Sequence, residues 1–215
     1  MSGNAILISL LCALTGYLIG SVPFGWIIVK VTKGIDLREV GSGRTGGTNA
    51  YRAAGFVPGL VTALLDVGKG ATTVLVIRHF VGDTTLGWAE ALAGLGVVLG
   101  HNYSVFLGFK GGAGGATAIG TGAAFWLVGT IPALIAGLFM LFIIGYASLA
   151  TIFAAYGVAV ALTAAAMFDK LPGSYAAFGW GIVILVMLSL RPNIERLMNG
   201  TERRVQILKK KSAQT

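Results

Sequence analysis

The chain has 215 residues, of which 55% are hydrophobic and only 11% charged, and its net charge is +8. Globular domains carry about 25% charged residues, so this composition excludes an ordinary soluble fold and predicts an integral membrane protein forming one unit over residues 1–215. The basic residues cluster beside apolar runs with no basic stripe interleaved with aromatics, which excludes nucleic acid as a partner and fits the Lys and Arg excess of cytoplasmic loops.

The first apolar run, Ala5 to Val29, lacks a preceding basic segment and exceeds the 7–15 residues of a signal core, so it reads as a retained span. Lone Cys12 within it excludes an intramolecular disulfide and reads as a small buried apolar residue. Lys30, Lys33, Arg38, Arg44 and Arg52 place the following loop in the cytoplasm and the amino terminus outside. Phe56 to Val81 crosses outward and carries Asp66 and Lys69, spaced to form an ion pair within the membrane. A turn at Gly82 to Thr85 leads to Leu86–Leu107, in which Glu90 has no obvious partner and lies near the outer boundary. Thr121 to Gly145 must cross twice if the basic tail is cytoplasmic, which predicts two short helices broken near Gly129–Pro132, where proline interrupts the helix. Tyr146–Phe168 and Tyr175–Leu190 complete the bundle, and a basic tail that starts at about Arg191 is suited to anionic headgroups of membrane lipids. The fold class is therefore all-α: a polytopic membrane helix bundle of about seven helices, with a shortened broken middle pair, amino terminus outside and carboxyl terminus cytoplasmic.

Two glycine-rich segments fall on the same cytoplasmic face. "GSGRTGGTN", Gly41 to Asn49, sets Ser42, Thr45, Thr48 and Asn49 among glycines around Arg44, a composition suited to an anion held by backbone N–H groups and a guanidinium. It lacks P-loop spacing. "FKGGAGGATAIG", Phe109 to Gly120, places Lys110 and paired glycines before Thr117 at a helix start, a second site for negative charge. Helix packing explains spaced glycines better than paired ones, so this segment reads as a ligand loop. His101 in "GHNY" has the chemistry to hydrogen-bond an oxyanion or to act as acid or base near neutral pH. Ser148 opens the sixth helix, where it either caps that helix or reaches a ligand, capping being the default. Asn193, Arg196 and Glu202 follow the last span on an amphipathic stretch returning to the same face.

These segments, with "GSVPFG", "LLDVGKG", "YASLATI" and "NIERLMNGTE" in order from about Gly16 to Glu202, make the chain resemble the bacterial acyl-phosphate-dependent glycerol-3-phosphate acyltransferase family. The resemblance implies transfer of a fatty acyl group from acyl phosphate to the primary hydroxyl of glycerol 3-phosphate in a bacterial cytoplasmic membrane, with the active face cytoplasmic. It implies no cofactor, metal or acyl-enzyme, and other phospholipid-synthesis enzymes as partners. It assigns Ser42, His101, Lys110 and Asn193 to catalysis. Gly41, Gly43, Arg44, Thr48, Asn49, Gly111, Gly112, Thr117, Ser148 and Arg196 then bind substrate or phosphate. Four positions depart from the family pattern: Arg44 replaces Asn, Ala113 a lysine, Gly145 an arginine and Leu190 a histidine. Those losses leave open a second reading, a noncatalytic relative that binds or moves an organic phosphate.

Overall fold

Small residues decide how closely the helices approach, and those close approaches set the order of the bundle. The computed structural model describes residues 2–81, 85 and 87–205. Every regular element among them is helical. The elements are α1 (Gly3–Ser21), α2 (Phe24–Lys33), α3 (Gly47–Ala54), α4 (Phe56–Val81), α5 (Trp88–Asn102), α6 (Gly115–Phe139), α7 (Ala147–Met167) and α8 (Gly173–Met198). Apart from Thr85, the expected turn at Gly82–Thr85 lies outside the described residues, as does the end of the basic tail.

α1 and α5 run parallel and touch backbone to backbone. A Cβ on Gly16 or Gly20 would stand 2.2 and 2.1 Å from the carbonyl oxygens of Ala93 and Val97. A Cβ on Gly96 or Gly100 would meet those of Ala13 and Tyr17 at 2.2 and 2.1 Å. Spaced glycines of this kind let membrane helices gain packing contact without a hydrophobic driving force between them. α1 ends at Pro23, and the carbonyls released there are satisfied from neighbouring elements: Ser104 Oγ donates to Ser21 O at 2.6 Å and Lys69 Nζ to Val22 O at 3.2 Å. α2 then turns away and packs on α3 and α4.

Among the described residues, five helical stretches are long and apolar enough to span a membrane, Gly115–Ile144 being one of them. That stretch nevertheless doubles back. Trp126 has φ −155° and ψ 92°, outside helical values. On α7, a Cβ on Gly115 would touch Thr151 and one on Gly122 would touch Val158, so the first half runs with α7. Gly157 approaches Ala133 and Gly137 approaches Ala150 and Ala154, so the second half runs against it. The first half, 115–125, reaches only about 16 Å, well short of a ~30 Å hydrocarbon core, while the second, 127–139 continued by a π-helical turn at Met140–Ile144, reaches about 27 Å. The expected pair is present, but only its first member is short, its break falls at Trp126, and Pro132 sits inside the second member. Gly129 allows this, since a Cβ there would lie 2.1 Å from the Trp126 indole.

With α1, α4, α5, the two halves of α6, α7 and α8, seven segments alternate in direction along the chain. Residue 3 and residue 198 therefore lie at opposite ends of the bundle. At the end near residue 3, Glu90 has the partners that its sequence context does not show: Arg78 Nη2 and Nε donate to Glu90 Oε2 at 2.9 and 3.0 Å, and Tyr175 Oη donates to the same oxygen at 2.5 Å. Arg78 Nη1 also donates to Ala124 O at 2.9 Å, next to the break in α6.

Candidate functional site

At the other end, the segments before α3, before α6 and after α8 converge. The first is folded by Asn49. Its Nδ2 donates to the carbonyls of Arg44, Val40 and Leu37 at 2.8, 2.9 and 3.2 Å, while its Oδ1 accepts from the Ser42 N–H at 3.1 Å. Gly41 has φ 61°, and a Cβ there would fall 2.2 Å from Asn49 Oδ1, so glycine is required by this turn. Asp36 anchors the start of the loop, accepting from Trp26 Nε1 at 3.1 Å and pairing with Arg38 at 2.6 Å. The Arg38 guanidinium holds the Asp36 carboxyl well below the usual carboxylate range.

The second segment wraps the protein's own histidine. Gly112 N donates to His101 O at 2.8 Å, and a Cβ on Gly112 would lie 2.0 Å from His101 Nε2. Gly111 is equally constrained, with a Cβ 2.2 Å from His101 O. The paired glycines are thus demanded by an internal contact, where the sequence suggests a ligand. Thr45 N donates to Gly111 O at 3.3 Å and stitches the two loops together.

His101 is 5% exposed, and its Nδ1 lies 2.9 Å from Lys69 Nζ, which also pairs with Asp66 Oδ1 at 2.9 Å. Nδ1 also lies 3.4 Å from Asp66 Oδ1, so it stands between a cation that donates and a carboxylate that accepts, while Nε2 is the nitrogen facing Gly112.

α8 contributes Ser189 and Asn193. Arg44 Nη1 donates to Ser189 Oγ at 2.8 Å and to Gly112 O at 3.1 Å; its Nη2 donates to Ser189 O and, at 3.1 Å, to Asn193 Oδ1. Burial, and next the charge of Arg196, lower the Arg44 pKa, so two cations feel each other here. Past α8, the chain returns Glu202 beneath Asn193. Glu202 Oε1 accepts from Asn193 Nδ2 at 2.8 Å and Ser148 Oγ at 3.3 Å, and its Oε2 accepts from Arg196 Nε at 2.9 Å. Ser148 therefore does not cap α7, whose cap position is Tyr146 without a side-chain bond.

These groups surround a cavity of about 260 Å³ with two unlike limbs. Ser42, Arg44, Thr48, Asn49, Arg52, His101, Ser148, Asn193 and Glu202 line the polar limb. Val67 of α4, Ile119, Leu134 and Leu138 of α6 and Ala154 of α7 line the apolar one, which lies between the two halves of α6. Leu134 and Leu138 are also 40% and 43% exposed, so the apolar limb borders the lipid-facing surface. Lys110, Gly111 and Gly43 do not line this cavity. They border a second, more polar hollow of about 470 Å³ with Arg38 and Tyr103, and Arg44 lies in the wall between the two. Gly41, Gly112, Thr117 and Arg196 line neither. Thr117 is fully buried, and its hydroxyl has no hydrogen-bond partner among the described residues.

Arg52, Asp66 and Glu202 are the charged cavity residues that the sequence reading does not assign to the site. Arg52 stands four residues after Thr48 on α3, so the two share one helix face, a spacing that identifies it in retrospect. Burial lowers the Arg52 pKa, partly opposed by Glu202.

Comparison with known proteins agrees across sequence and fold. A model of the glycerol-3-phosphate acyltransferase family matches residues 10–200. A glycerol-3-phosphate acyltransferase of Synechococcus sp. (strain CC9902) is 42% identical over 205 residues, covering 93% of this chain and 96% of the relative. One from Thermotoga petrophila is 41% identical, covering 91% and 95%. The crystal structure of PlsY (YgiH), an integral membrane glycerol 3-phosphate acyltransferase, in its glycerol 3-phosphate form is 36% identical with a TM-score of 0.81, covering 91% of this chain and 94% of that one. The lysophosphatidic acid form gives 34% and 0.79 over the same shares.

Proposed function

The chain belongs to the glycerol-3-phosphate acyltransferase family, and we propose that it moves a fatty acyl group from acyl phosphate to the primary hydroxyl of glycerol 3-phosphate, giving lysophosphatidic acid and phosphate. The observation that carries this reading is the two-limbed cavity: a cationic, hydrogen-bonding head continuous with an apolar limb that borders lipid. An acyl phosphate has that same division, and its chain enters from the bilayer without crossing water. On this reading residues 1–215 form one catalytic unit whose loop-bearing end faces the cytoplasm of a bacterial inner membrane, where other phospholipid-synthesis enzymes supply or take up its lipids.

The transfer balances without a protein nucleophile. The glycerol oxygen forms a bond to the acyl carbon, the bond from that carbon to the phosphate oxygen breaks, and the hydroxyl proton leaves on the released phosphate. The protein's task is to hold two phosphorylated molecules in register and stabilise charge on the carbonyl oxygen. Arg52, Ser42 and Thr48 hold phosphoryl oxygens. His101, through Nε2, and the Nδ2–H of Asn193 contact substrate oxygens, and Ser148 closes the head of the cavity. Lys110 and the second hollow receive the soluble phosphate from the aqueous side. Asn49, Gly41, Gly43, Gly111, Gly112, Thr117 and Arg196 act by shaping these surfaces.

Two substrate series test the reading. Purified protein given glycerol 3-phosphate is expected to accept acyl phosphate and to reject the corresponding coenzyme A ester; the reverse preference contradicts it. Charged contacts to phosphate are worth about 1.5–3 kcal/mol, so Arg52→Ala is expected to raise KM for a phosphorylated substrate roughly tenfold to a hundredfold. Unchanged KM values in the folded variant remove Arg52 from the phosphate site.

A further inference from the structure

We propose that Arg44 is a positioning residue, which fixes the side-chain amide of Asn193 for acyl transfer, and that it does not itself bind phosphate. The inference rests on the reading of the cavity given above and deepens it.

The hydrogen-bond inventory carries the argument. A guanidinium has four N–H groups on its two terminal nitrogens, and here those nitrogens face four protein acceptors: Gly112 O, Ser189 Oγ, Ser189 O and Asn193 Oδ1. The fork that normally grips a phosphate is already occupied. Ser189 fits the same scheme, because its hydroxyl accepts from Arg44 and donates onward to Gly112 O at 3.2 Å. Arg44 thereby ties the first loop, the second loop and α8 across 145 positions of sequence.

Asn193 is held from both sides. Its Oδ1 faces the Arg44 guanidinium, and its Nδ2 donates to the Glu202 carboxylate at 2.8 Å. Rotating the amide by half a turn would put NH₂ against a cation and oxygen against a carboxylate. Arg44 and Glu202 therefore allow one orientation, which leaves the second Nδ2 hydrogen for the cavity that Asn193 lines. Pro192 lies in the same turn: lacking an N–H, it deprives the Leu188 carbonyl of its intrahelical donor, one residue before the Ser189 carbonyl that Arg44 bonds. Arg52 has a different setting: it lines the cavity head, and among the described residues it donates to the Arg203 carbonyl alone, at 3.3 Å. The two arginines thus divide the work, Arg52 facing substrate and Arg44 facing protein.

A double-mutant cycle tests this. Arg44→Ala and Asn193→Ala are made singly and together, with kcat and both KM values measured and thermal unfolding in detergent as the fold control. Losing a charged hydrogen bond in the cavity corresponds to a fall in kcat of about tenfold or more for Arg44→Ala, with KM for acyl phosphate changed by less than about threefold. In the Asn193→Ala background the same substitution is expected to cost less than about threefold further. Added guanidinium restores part of the Arg44→Ala rate. Losses that multiply, or a KM for acyl phosphate that rises in step with the loss of kcat/KM, overturn the proposal. Should Arg44→Ala not fold, Arg44→Lys keeps the charge without the fork and is expected to show the same loss in kcat. A spectroscopic readout separates this inference from the acyltransferase reading itself. The ¹⁵N-labelled Asn193 side-chain amide, assigned by its disappearance in Asn193→Ala, is expected to exchange slowly with solvent in the wild type and rapidly in Arg44→Lys. Equal protection in both sinks the inference whether or not the wild type turns over; an inactive wild type with the expected exchange pattern sinks only the functional reading.

Discussion

Gly112 has no room for a side chain, since a Cβ would lie 2.0 Å from His101 Nε2, whereas a Cβ on Gly68 in α4 would meet nothing within 4 Å. The two positions make a matched pair. Gly112→Ala is expected to push the imidazole off its Lys69 contact and lower both activity and melting temperature. Gly68→Ala is expected to leave activity intact and to stabilise α4 by roughly 0.5–1 kcal/mol, the helix penalty of glycine. Melting curves and initial rates of both variants check this; equal behaviour contradicts the contact with His101. At this scale the sequence is legible where chemistry is local. Ser42, His101, Ser148 and Asn193 stand out as polar groups between apolar runs, and all four line one cavity. It is illegible where a side chain's direction decides its role. Arg44 reads as a phosphate ligand by composition, yet its fork turns to α8, and Glu202 reads as part of a solvated tail although its carboxylate is 7% exposed beneath Asn193.

At the scale of elements, α6 concentrates the difficulty. Charge balance and length require the 121–145 segment to cross twice, but proline and glycine near 129–132 do not mark where it turns. The turn is set by Trp126, whose indole lies over Gly129, and by Arg78, which holds the carbonyl of Ala124. Arg78→Ala leaves Glu90 with Tyr175 but without its cation, and frees that carbonyl. It is expected to destabilise the protein by about 2 kcal/mol, below the ~3–5 of a fully buried pair because the Arg78 side chain is 39% exposed; calorimetry or denaturant titration measures it. The α1–α5 contact makes a sharper demand. Gly96→Leu places a branched side chain where the Ala13 carbonyl already stands, so it is expected to separate the two helices and abolish folded protein in detergent extracts. Recovery of a native-like monodisperse sample at normal yield argues against the close parallel packing.

For the whole molecule, alternation of seven segments puts residue 3 and residue 198 at opposite ends, and the basic loop residues predict that the end bearing residue 198 is cytoplasmic. Cys12 is the sole cysteine, so a Cys12→Ser background permits single reporter cysteines. Lys33→Cys is expected to react with a membrane-impermeant maleimide only from the cytoplasmic side, and Asp169→Cys, at the opposite end, only from outside. The reverse pattern inverts the bundle and removes the site from its soluble substrate. The central claim is that the two-limbed cavity is the catalytic centre, and one measurement addresses it directly: parallel release of inorganic phosphate and lysophosphatidic acid from acyl phosphate and glycerol 3-phosphate, in wild type, Ser42→Ala and Asn193→Ala. The cavity account predicts equal amounts of both products from the wild type and a fall of at least about tenfold in each folded variant. No lysophosphatidic acid from the wild type, or undiminished product from both variants, contradicts it.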